Sequence, residues 1–258
     1  MDQINLRATL RDLALGGLRF FPSIGSTNDE ALAWATAGAK DMSLVVADEQ
    51  TAGRGRMGRK WFTPPGSALA FSLIIRPQGR ELEAIGRFSG LGALALVGAL
   101  KKHGLAAQIK WPNDVLIGEK KTAGILVETV WMGDEVDSVV LGMGVNVAPE
   151  SVPPPEGLNF PATCVQFEGS NVLPRFDLLK DLLVELISLR AALASDGFLR
   201  AWEEALAYRD RPVCIWVGET EPVTGQIQGL ETDGSLRVRI AGGEIRAIRF
   251  GEVHLRLL

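Results

Sequence analysis

The order of apolar and polar positions divides the chain into two parts of different character. Up to about residue 207, apolar runs of strand length alternate with segments that have a helical period. From about residue 211 onward, short apolar runs follow one another between turn residues, without a helical period. The pattern therefore predicts a first part of strands and helices, a second part that forms a small β-barrel, and a domain boundary near residues 207–211.

The first part contains a helix that is predicted to begin in a cluster of small polar residues. Thr27 is predicted to cap it, Glu30 to complete a capping box, and Gly38 to end it. The other predicted helices span residues 2–15, 83–103, 174–194 and 196–207. The predicted strands span residues 43–48, 68–77, 107–111, 114–118, 121–131 and 137–147. A turn at Gly133 joins the last two strands, and residues 151–163 are predicted to form a loop.

The second part contains five short β runs, namely VCIWV, VTGQIQGL, SLRVRI, EIRAIRF and VHLRLL. Turn residues separate them at Gly218, at Asp233-Gly234 and at Gly242-Gly243. Several short strands in so few residues predict a small closed barrel, because closure removes exposed sheet edges.

Composition narrows the class of protein. The chain has 258 residues, 47% of them hydrophobic, and a formal net charge of −4, so we expect neither general nucleic-acid binding nor binding to a membrane surface. The two cysteines are too few for a disulfide framework. The N-terminus has charges where a signal peptide needs an apolar run, and the apolar stretch 88–100 is too short to span a bilayer. A soluble, cytoplasmic protein is predicted.

One stretch concentrates positive charge. TAGRGRMGRKW, residues 51–61, holds three arginines, one lysine and three glycines. Its glycines let the backbone approach a ligand closely, and its arginines can bind phosphate or carboxylate oxygens in a forked geometry. A solvated arginine-glycine hairpin is the alternative. A binding role is favoured because the stretch lies between two predicted strands and ends at Trp61, whose flat ring can stack on a base.

A second group of polar residues lies in IKWPNDVLIGEKKTAGILVE, residues 109–128. Pro-Asn-Asp is ordinary turn chemistry, and Lys120-Lys121 could be a solvated hairpin end. Lys121, however, begins a strand whose body is apolar, so its side chain can project into a cleft. The spacing from Asp114 to Lys121 suits two neighbouring strands that meet at one rim.

A third group is SIGSTNDE, residues 23–30, where a helix N-terminus can face a polar ligand with its backbone N–H groups. The two histidines, His103 and His254, share no metal-ligand spacing with the cysteines. A zinc site is therefore not predicted.

These motifs together resemble the biotin–protein ligases. The matching stretches are STN at 26–28, EQTAGRGRMGRKW at 49–61, KWPND at 110–114, KTAGILVE at 121–128 and GMGVNV at 142–147. Residues 234–256 resemble the C-terminal barrel of that family, and Met57 occupies a variable position of the loop. The resemblance implies an α+β fold. Residues 1–207 would form a class II synthetase-like catalytic domain, a mixed sheet with helices, and residues 210–258 would form an SH3-like β-barrel.

The resemblance also implies a two-step activity. Biotin and ATP, with Mg²⁺, give biotinyl-5′-AMP and pyrophosphate, and the acyl group then passes to one lysine of a biotin carboxyl carrier protein. No tightly bound metal is expected, and the magnesium ligands stay open. Bringing a carboxylate to a phosphate requires cations that hold both anions.

The resemblance assigns roles residue by residue. The catalytic residues it implies are Lys121, Arg56, Arg54 and Lys110. The biotin contacts it implies are Ser26, Thr27, Asn28, Gln50, Gly53, Arg54, Gly55, Arg56, Asp114, Lys121 and Gly124. The ATP or adenylate contacts it implies are Arg56, Arg59, Trp61, Asn113, Lys121 and Asn146.

Two alternatives stay open at this point. A lipoate- or octanoate-transferring relative would share the catalytic fold but should lack KWPND and the complete arginine loop. A non-enzymatic binding protein with an SH3-like module is disfavoured by the net charge of −4.

DNA binding is not expected, because only 25 residues precede Ser26 and a helix-turn-helix domain needs more. The oligomeric state is open, with a homodimer as one alternative.

Overall fold

The computed structural model describes residues 3–156, 158, 160–169, 173–217, 221–249 and 253–257. Its larger sheet has seven strands in the order β1-β2-β3-β7-β6-β5-β4. Strands β1 and β2 run parallel and the other neighbours run antiparallel. The strands are β1 Gly17–Ile24, β2 Ser43–Gln50, β3 Ala68–Ile75, β4 Ala107–Lys110, β5 Asp114–Ile117, β6 Lys120–Met132 and β7 Glu135–Asn146.

Helices cover this sheet. They are α1 Gln3–Leu10, α2 Thr27–Thr36, α3 Phe88–Lys102, α4 Val165–Glu168, α5 Arg175–Arg190 and α6 Asp196–Glu204. Short 3₁₀ turns lie at Arg56–Gly58, Gly79–Arg87 and Pro149–Ser151. Helix α3 packs against both the sheet and α5, and most of its side chains are buried. Its sequence is apolar all round because it lies inside the core.

One described helical stretch, Gly79–Lys102, is long and apolar enough to cross a membrane by length and composition alone. Within the fold, 56% of its apolar window is buried. That burial is typical of the core helix that the sequence predicts here.

Five strands of the second part form a separate antiparallel sheet in the order β11-β10-β9-β8-β12. They are β8 Pro212–Val217, β9 Val223–Leu230, β10 Leu236–Ile240, β11 Ile245–Ile248 and β12 Val253–Leu257. The five predicted strands are therefore confirmed. Between described residues, no pairing of β11 with β12 closes the sheet. The turns at Gly234 and Gly242-Gly243 have positive φ as their sequence predicts, whereas Gly218 lies outside the described residues.

Several predicted boundaries were wrong. Ser26, not Thr27, caps α2, since its side chain accepts the N–H of Asp29, and Glu30 pairs with Arg19 instead of completing a capping box. The predicted helix 83–103 is a 3₁₀ segment up to Arg87 and becomes an α-helix only from Phe88. The helices predicted at 2–15, 174–194 and 196–207 end earlier, at residues 10, 190 and 204. Strand β1 and helix α4 were not predicted.

The second sheet is attached to the first part by backbone carbonyls. The guanidinium of Arg87 donates to the carbonyl of Thr232 in the second part at 2.8 Å, and it is itself held by the carbonyls of Leu193 and Ser195 in the first part at 3.0 and 3.1 Å. The indole N–H of Trp111 donates to the carbonyl of Gly234 at 3.0 Å. One continuous apolar cluster includes residues of both parts. The predicted domain limits, 1–207 and 210–258, stay a prediction.

The packing of α3 gives a stability prediction. A Cβ at Gly90 would lie about 2.5 Å from the ring of Trp202, which is fully buried. We expect Gly90→Ala to lower the free energy of unfolding by about 1–3 kcal/mol, because the ring has no room to move.

Gly98→Ala, in the same helix, is the matched control, because the added methyl meets only the flexible end of Glu185. It should raise the free energy of unfolding or leave it within about 1 kcal/mol. Denaturant unfolding of both variants checks this, and equal stabilities would contradict the account.

Candidate active site

A cavity of about 460 Å³ opens where the N-terminus of α2, the basic loop and the rims of β5, β6 and β7 meet. Its volume lies in the range of roughly 300–1,000 Å³ that small-molecule sites occupy. All the predicted site residues except Gly53 line it, namely Ser26, Thr27, Asn28, Gln50, Arg54, Gly55, Arg56, Arg59, Trp61, Lys110, Asn113, Asp114, Lys121, Gly124 and Asn146. The fold therefore brings the three polar groups of the sequence together.

The basic loop is folded as a short hairpin. The N–H of Trp61 donates to the carbonyl of Gly53 at 2.8 Å, and the N–H of Gly55 donates to that of Arg59 at 2.7 Å. A Cβ at Gly53 would collide with the carbonyl oxygen of Trp61, so Gly53 supports the loop without lining the cavity. Met57 and Gly58 turn the tip with positive φ.

Arg54 is held by two acids that the sequence did not single out. Its guanidinium binds both carboxylate oxygens of Glu128, at 3.0 and 2.7 Å, and one oxygen of Asp29 at 2.7 Å. The hydrogen bond to Glu128 raises the pKa of Arg54 above its ordinary value. Arg54 therefore keeps its charge beside the cavity in a fixed orientation.

Arg56 lies deeper than Arg54. Burial lowers the pKa of its guanidinium from the ordinary value, although a guanidinium stays charged at neutral pH. It donates to the side-chain oxygen of Asn113 at 3.1 Å, and the amide of Asn113 donates to the carbonyl of Ile125 at 2.9 Å. Asn113 thus ties the basic loop to the rim of the sheet.

Asp114 lies between two lysines. Its carboxylate is 2.6 Å from the Nζ atom of Lys121 and 3.8 Å from that of Lys110. The two lysines also lie over aromatic rings, Lys121 at 5.4 Å from the centroid of Trp61 and Lys110 at 4.2 Å from that of Phe160. The expected meeting of Asp114 and Lys121 at one rim is confirmed. The biotin contact implied for Asp114 stays a prediction.

The end of the cavity beside the N-terminus of α2 is neutral and rich in hydrogen-bonding groups. The side-chain oxygen of Gln50 accepts two hydrogen bonds from Thr27, one from its backbone N–H at 2.8 Å and one from its hydroxyl at 3.1 Å. The hydroxyl of Ser72 lies 2.8 Å from that of Thr27 and 2.5 Å from the side-chain oxygen of Asn28. Ser72 was not predicted, because nothing in an apolar strand distinguishes a buried serine that supports a site.

Glycines form one wall of the cavity. Gly124 of β6 and Gly144 of β7 are cross-strand partners, and the ring of Trp61 lies on this bare stretch of backbone. A Cβ at Gly144 would overlap the indole, and a Cβ at Gly142 would overlap the side chain of Asn28. The buried indole nitrogen of Trp61 has no hydrogen-bond partner among the described residues. The stretch GMGVNV thus contributes its glycines to the wall, a role that the sequence did not suggest.

Asn146 has a supporting contact. Its side chain is buried and donates to the carbonyl of Thr163 at 3.0 Å. Lys121 pairs with the same segment through backbone hydrogen bonds to Pro161 and Thr163 at 2.8 and 2.9 Å. The segment 160–163 therefore forms the outer wall of the cavity, and the adenylate contact implied for Asn146 stays a prediction.

The donor set does not fit a resident magnesium ion. No cluster of three or more histidine, cysteine or acidic residues is present in the part of the chain that the structure describes. Asp114 is the one carboxylate among the described lining residues, and it is paired with lysines. Magnesium in nucleotide sites is often bound through one or two carboxylates and the substrate phosphates. These residues therefore do not hold a magnesium ion by themselves.

Comparison with known proteins identifies the family. Residues 20–146 match the model of the biotin/lipoate A/B protein ligase family, and residues 211–256 match the biotin protein ligase C-terminal domain. A biotin–[acetyl-CoA-carboxylase] ligase of Paracoccus denitrificans is 38% identical over 84% of this chain and 92% of its own length. This chain belongs to the biotin protein ligase family.

Other members of the family agree with this assignment. A biotin–[acetyl-CoA-carboxylase] ligase of Mycobacterium tuberculosis is 32% identical over 96% of this chain and 95% of its own length. The biotin protein ligase of Aquifex aeolicus, solved with biotin and ATP, superposes with a TM-score of 0.79 at 28% identity, covering 94% of this chain and 99% of that one. The chain spans half of the bifunctional ligase/repressor of Bacillus spizizenii. The predicted fold, a mixed sheet with helices followed by a small SH3-like β-domain, is confirmed.

The glycine wall gives a prediction for a biotin protein ligase of this geometry. We expect Gly144→Ala to weaken biotin binding about tenfold or more, because the added methyl displaces the ring of Trp61 into the space of the ligand, and overpacking of this kind costs roughly 1–3 kcal/mol. Isothermal titration with biotin measures this.

Gly25→Ala is the control, since a methyl there meets no atom within 4 Å although Gly25 directly precedes Ser26, the cap of α2. The control should bind biotin as the unaltered protein does. Equal affinities for all three proteins would show that Trp61 does not occupy this wall.

Proposed function

We propose that this chain activates biotin as biotinyl-5′-AMP and transfers the biotinyl group to a lysine of a biotin carboxyl carrier protein. The observation that carries the proposal is the charge of the cavity. Among the described lining residues there are six cations and one carboxylate, that of Asp114. The six cations are Arg54, Arg56, Arg59, Lys60, Lys110 and Lys121. Such a lining suits a ligand with several negative charges, whereas the neutral end at Thr27 and Gln50 suits a polar, uncharged ring.

In the first step, a carboxylate oxygen of biotin attacks the α-phosphorus of ATP. The bond from that phosphorus to the bridging oxygen breaks, and pyrophosphate leaves with the electron pair. In this proposal Lys121 and Arg56 neutralise charge that collects on the phosphate, and preorganised cations of this kind are effective in a cleft with little water. Magnesium enters with the nucleotide.

In the second step, the neutral amine of the acceptor lysine attacks the carbonyl carbon of the adenylate. The bond from this carbon to the phosphate oxygen breaks, AMP leaves, and the nitrogen loses a proton as the amide forms. The names of the Paracoccus denitrificans and Mycobacterium tuberculosis relatives support a carboxylase as the source of the acceptor. DNA and a second copy of the chain form no part of the proposal.

The reaction is tested by ATP–pyrophosphate exchange in three parallel samples, with biotin, with lipoate and with neither. We expect exchange with biotin alone. Exchange that needs lipoate would favour the lipoate-transferring relatives that share the family model. Exchange without either acid, or none with biotin, would overturn the proposal.

Lys121 provides a sharper test of the chemistry. Lys121→Ala should lower the rate of biotin-dependent exchange roughly 10²–10³-fold while the protein stays folded, because a preorganised cation is lost. Lys120→Ala is a matched control, since the neighbouring lysine points to Glu168 at 3.2 Å and does not line the cavity. Exchange rates for Lys121→Ala close to those for Lys120→Ala would remove Lys121 from the mechanism.

A further inference from the structure

Glu128 joins two parts of the site without lining the cavity. It lies on β6, and its carboxylate accepts hydrogen bonds from Asn28 on α2 and from Arg54 in the basic loop. These partners are 100 and 74 residues away from it in the sequence. A single carboxylate therefore connects the neutral end of the cavity with its charged loop.

The contacts are short and share one oxygen atom. Oε2 of Glu128 is 2.8 Å from the amide nitrogen of Asn28 and 2.7 Å from a terminal nitrogen of Arg54, while Oε1 takes the other terminal nitrogen at 3.0 Å. A guanidinium whose two terminal nitrogens both bind one carboxylate is fixed in orientation as well as in position. Asp29 adds a third contact to Arg54, but its side chain is 59% exposed. Water weakens that contact more than it weakens the pair with Glu128, whose side chain is 27% exposed.

The same carboxylate fixes Asn28. The amide nitrogen of Asn28 donates to Glu128 and, at 3.3 Å, to the carbonyl of Leu126, so both of its hydrogens are bound to β6. Its oxygen faces the hydroxyl of Ser72. The bare backbone at Gly142 leaves the space that this arrangement needs. Loss of the acceptor at Glu128 would free the amide to rotate.

We infer that Glu128 is a positioning residue that holds the basic loop and the neutral end of the cavity in register before ligands bind. It touches no ligand and acts through Arg54 and Asn28. The inference rests on the proposed function in naming biotin as the ligand. Its effect belongs to the capture of substrates by the empty loop, which also carries Arg56, so turnover once biotin and ATP are bound should be affected little.

Glu128→Gln tests the inference, with Glu30→Gln as the matched control. Both substitutions remove one charge from a glutamate–arginine pair close to α2, because Glu30 binds Arg19 at 2.6 Å. For Glu128→Gln we expect the KM for biotin to rise about tenfold, which corresponds to about 1.4 kcal/mol and is in the range of a charged hydrogen bond. The KM for ATP should rise as well, because the same loop carries Arg56, whereas kcat at saturating biotin and ATP should stay within about threefold of the unaltered protein.

Tryptic cleavage between residues 54 and 60 provides the second readout. Without any ligand, cleavage of Glu128→Gln should be at least about fivefold faster than that of Glu30→Gln, while the two melting temperatures agree. Equal biotin KM and equal cleavage in the two variants would overturn the inference. A lower melting temperature with parallel loss in every kinetic constant would also overturn it, because the role would then be structural.

The two proposals fail separately. If the unaltered protein shows no biotin-dependent exchange, the proposed function fails, and the cleavage of the empty loop still decides whether Glu128 holds it. If the unaltered protein is active and Glu128→Gln behaves like the control, only the role of Glu128 fails.

Discussion

The site depends on how positive charge is held in a half-buried cleft before an anion arrives. Cations gathered in one cleft repel each other and lose hydration, so they need acids that hold them without taking the place of the substrate. Two such acids come from adjacent strands. Asp114 on β5 forms a salt bridge with Lys121, and Glu128 on β6 forms one with Arg54. The cations are thus oriented by groups at the edge or back of the cavity, and its interior stays open for a ligand.

The sheet makes this arrangement possible. Gly124 and Gly144 face each other across β6 and β7, and their bare backbone leaves the volume that Trp61 and a ligand need. The second sheet supports the same rim from behind, since Trp111, next to Lys110, is anchored to Gly234. The packing of the second sheet against the first part therefore helps to fix the position of Lys110 in the cavity.

The sequence predicted local features well and long-range partners poorly. The hairpin of β6 and β7, the five C-terminal strands and the polar groups of the cavity could be predicted, because each has a local pattern of spacing or turn residues. Glu128 and Ser72 could not, since each is an unremarkable residue of a strand whose partner lies far along the chain. The cap of α2 was misplaced by one residue. Ser26 and Thr27 are both good cap residues, Ser being the better of the two, and Thr27 is instead held by Gln50 from β2.

The central claim is that this cleft joins a carboxylate to the α-phosphorus of ATP. Biotin labelled with ¹⁸O in both carboxylate oxygens, incubated with the protein, Mg·ATP and hydroxylamine as the acceptor, tests it directly by mass spectrometry of the nucleotide. The account predicts one ¹⁸O atom in each AMP released, because the attacking oxygen stays on the phosphorus when the acyl group leaves. Label in inorganic phosphate or pyrophosphate, with unlabelled AMP, would contradict it.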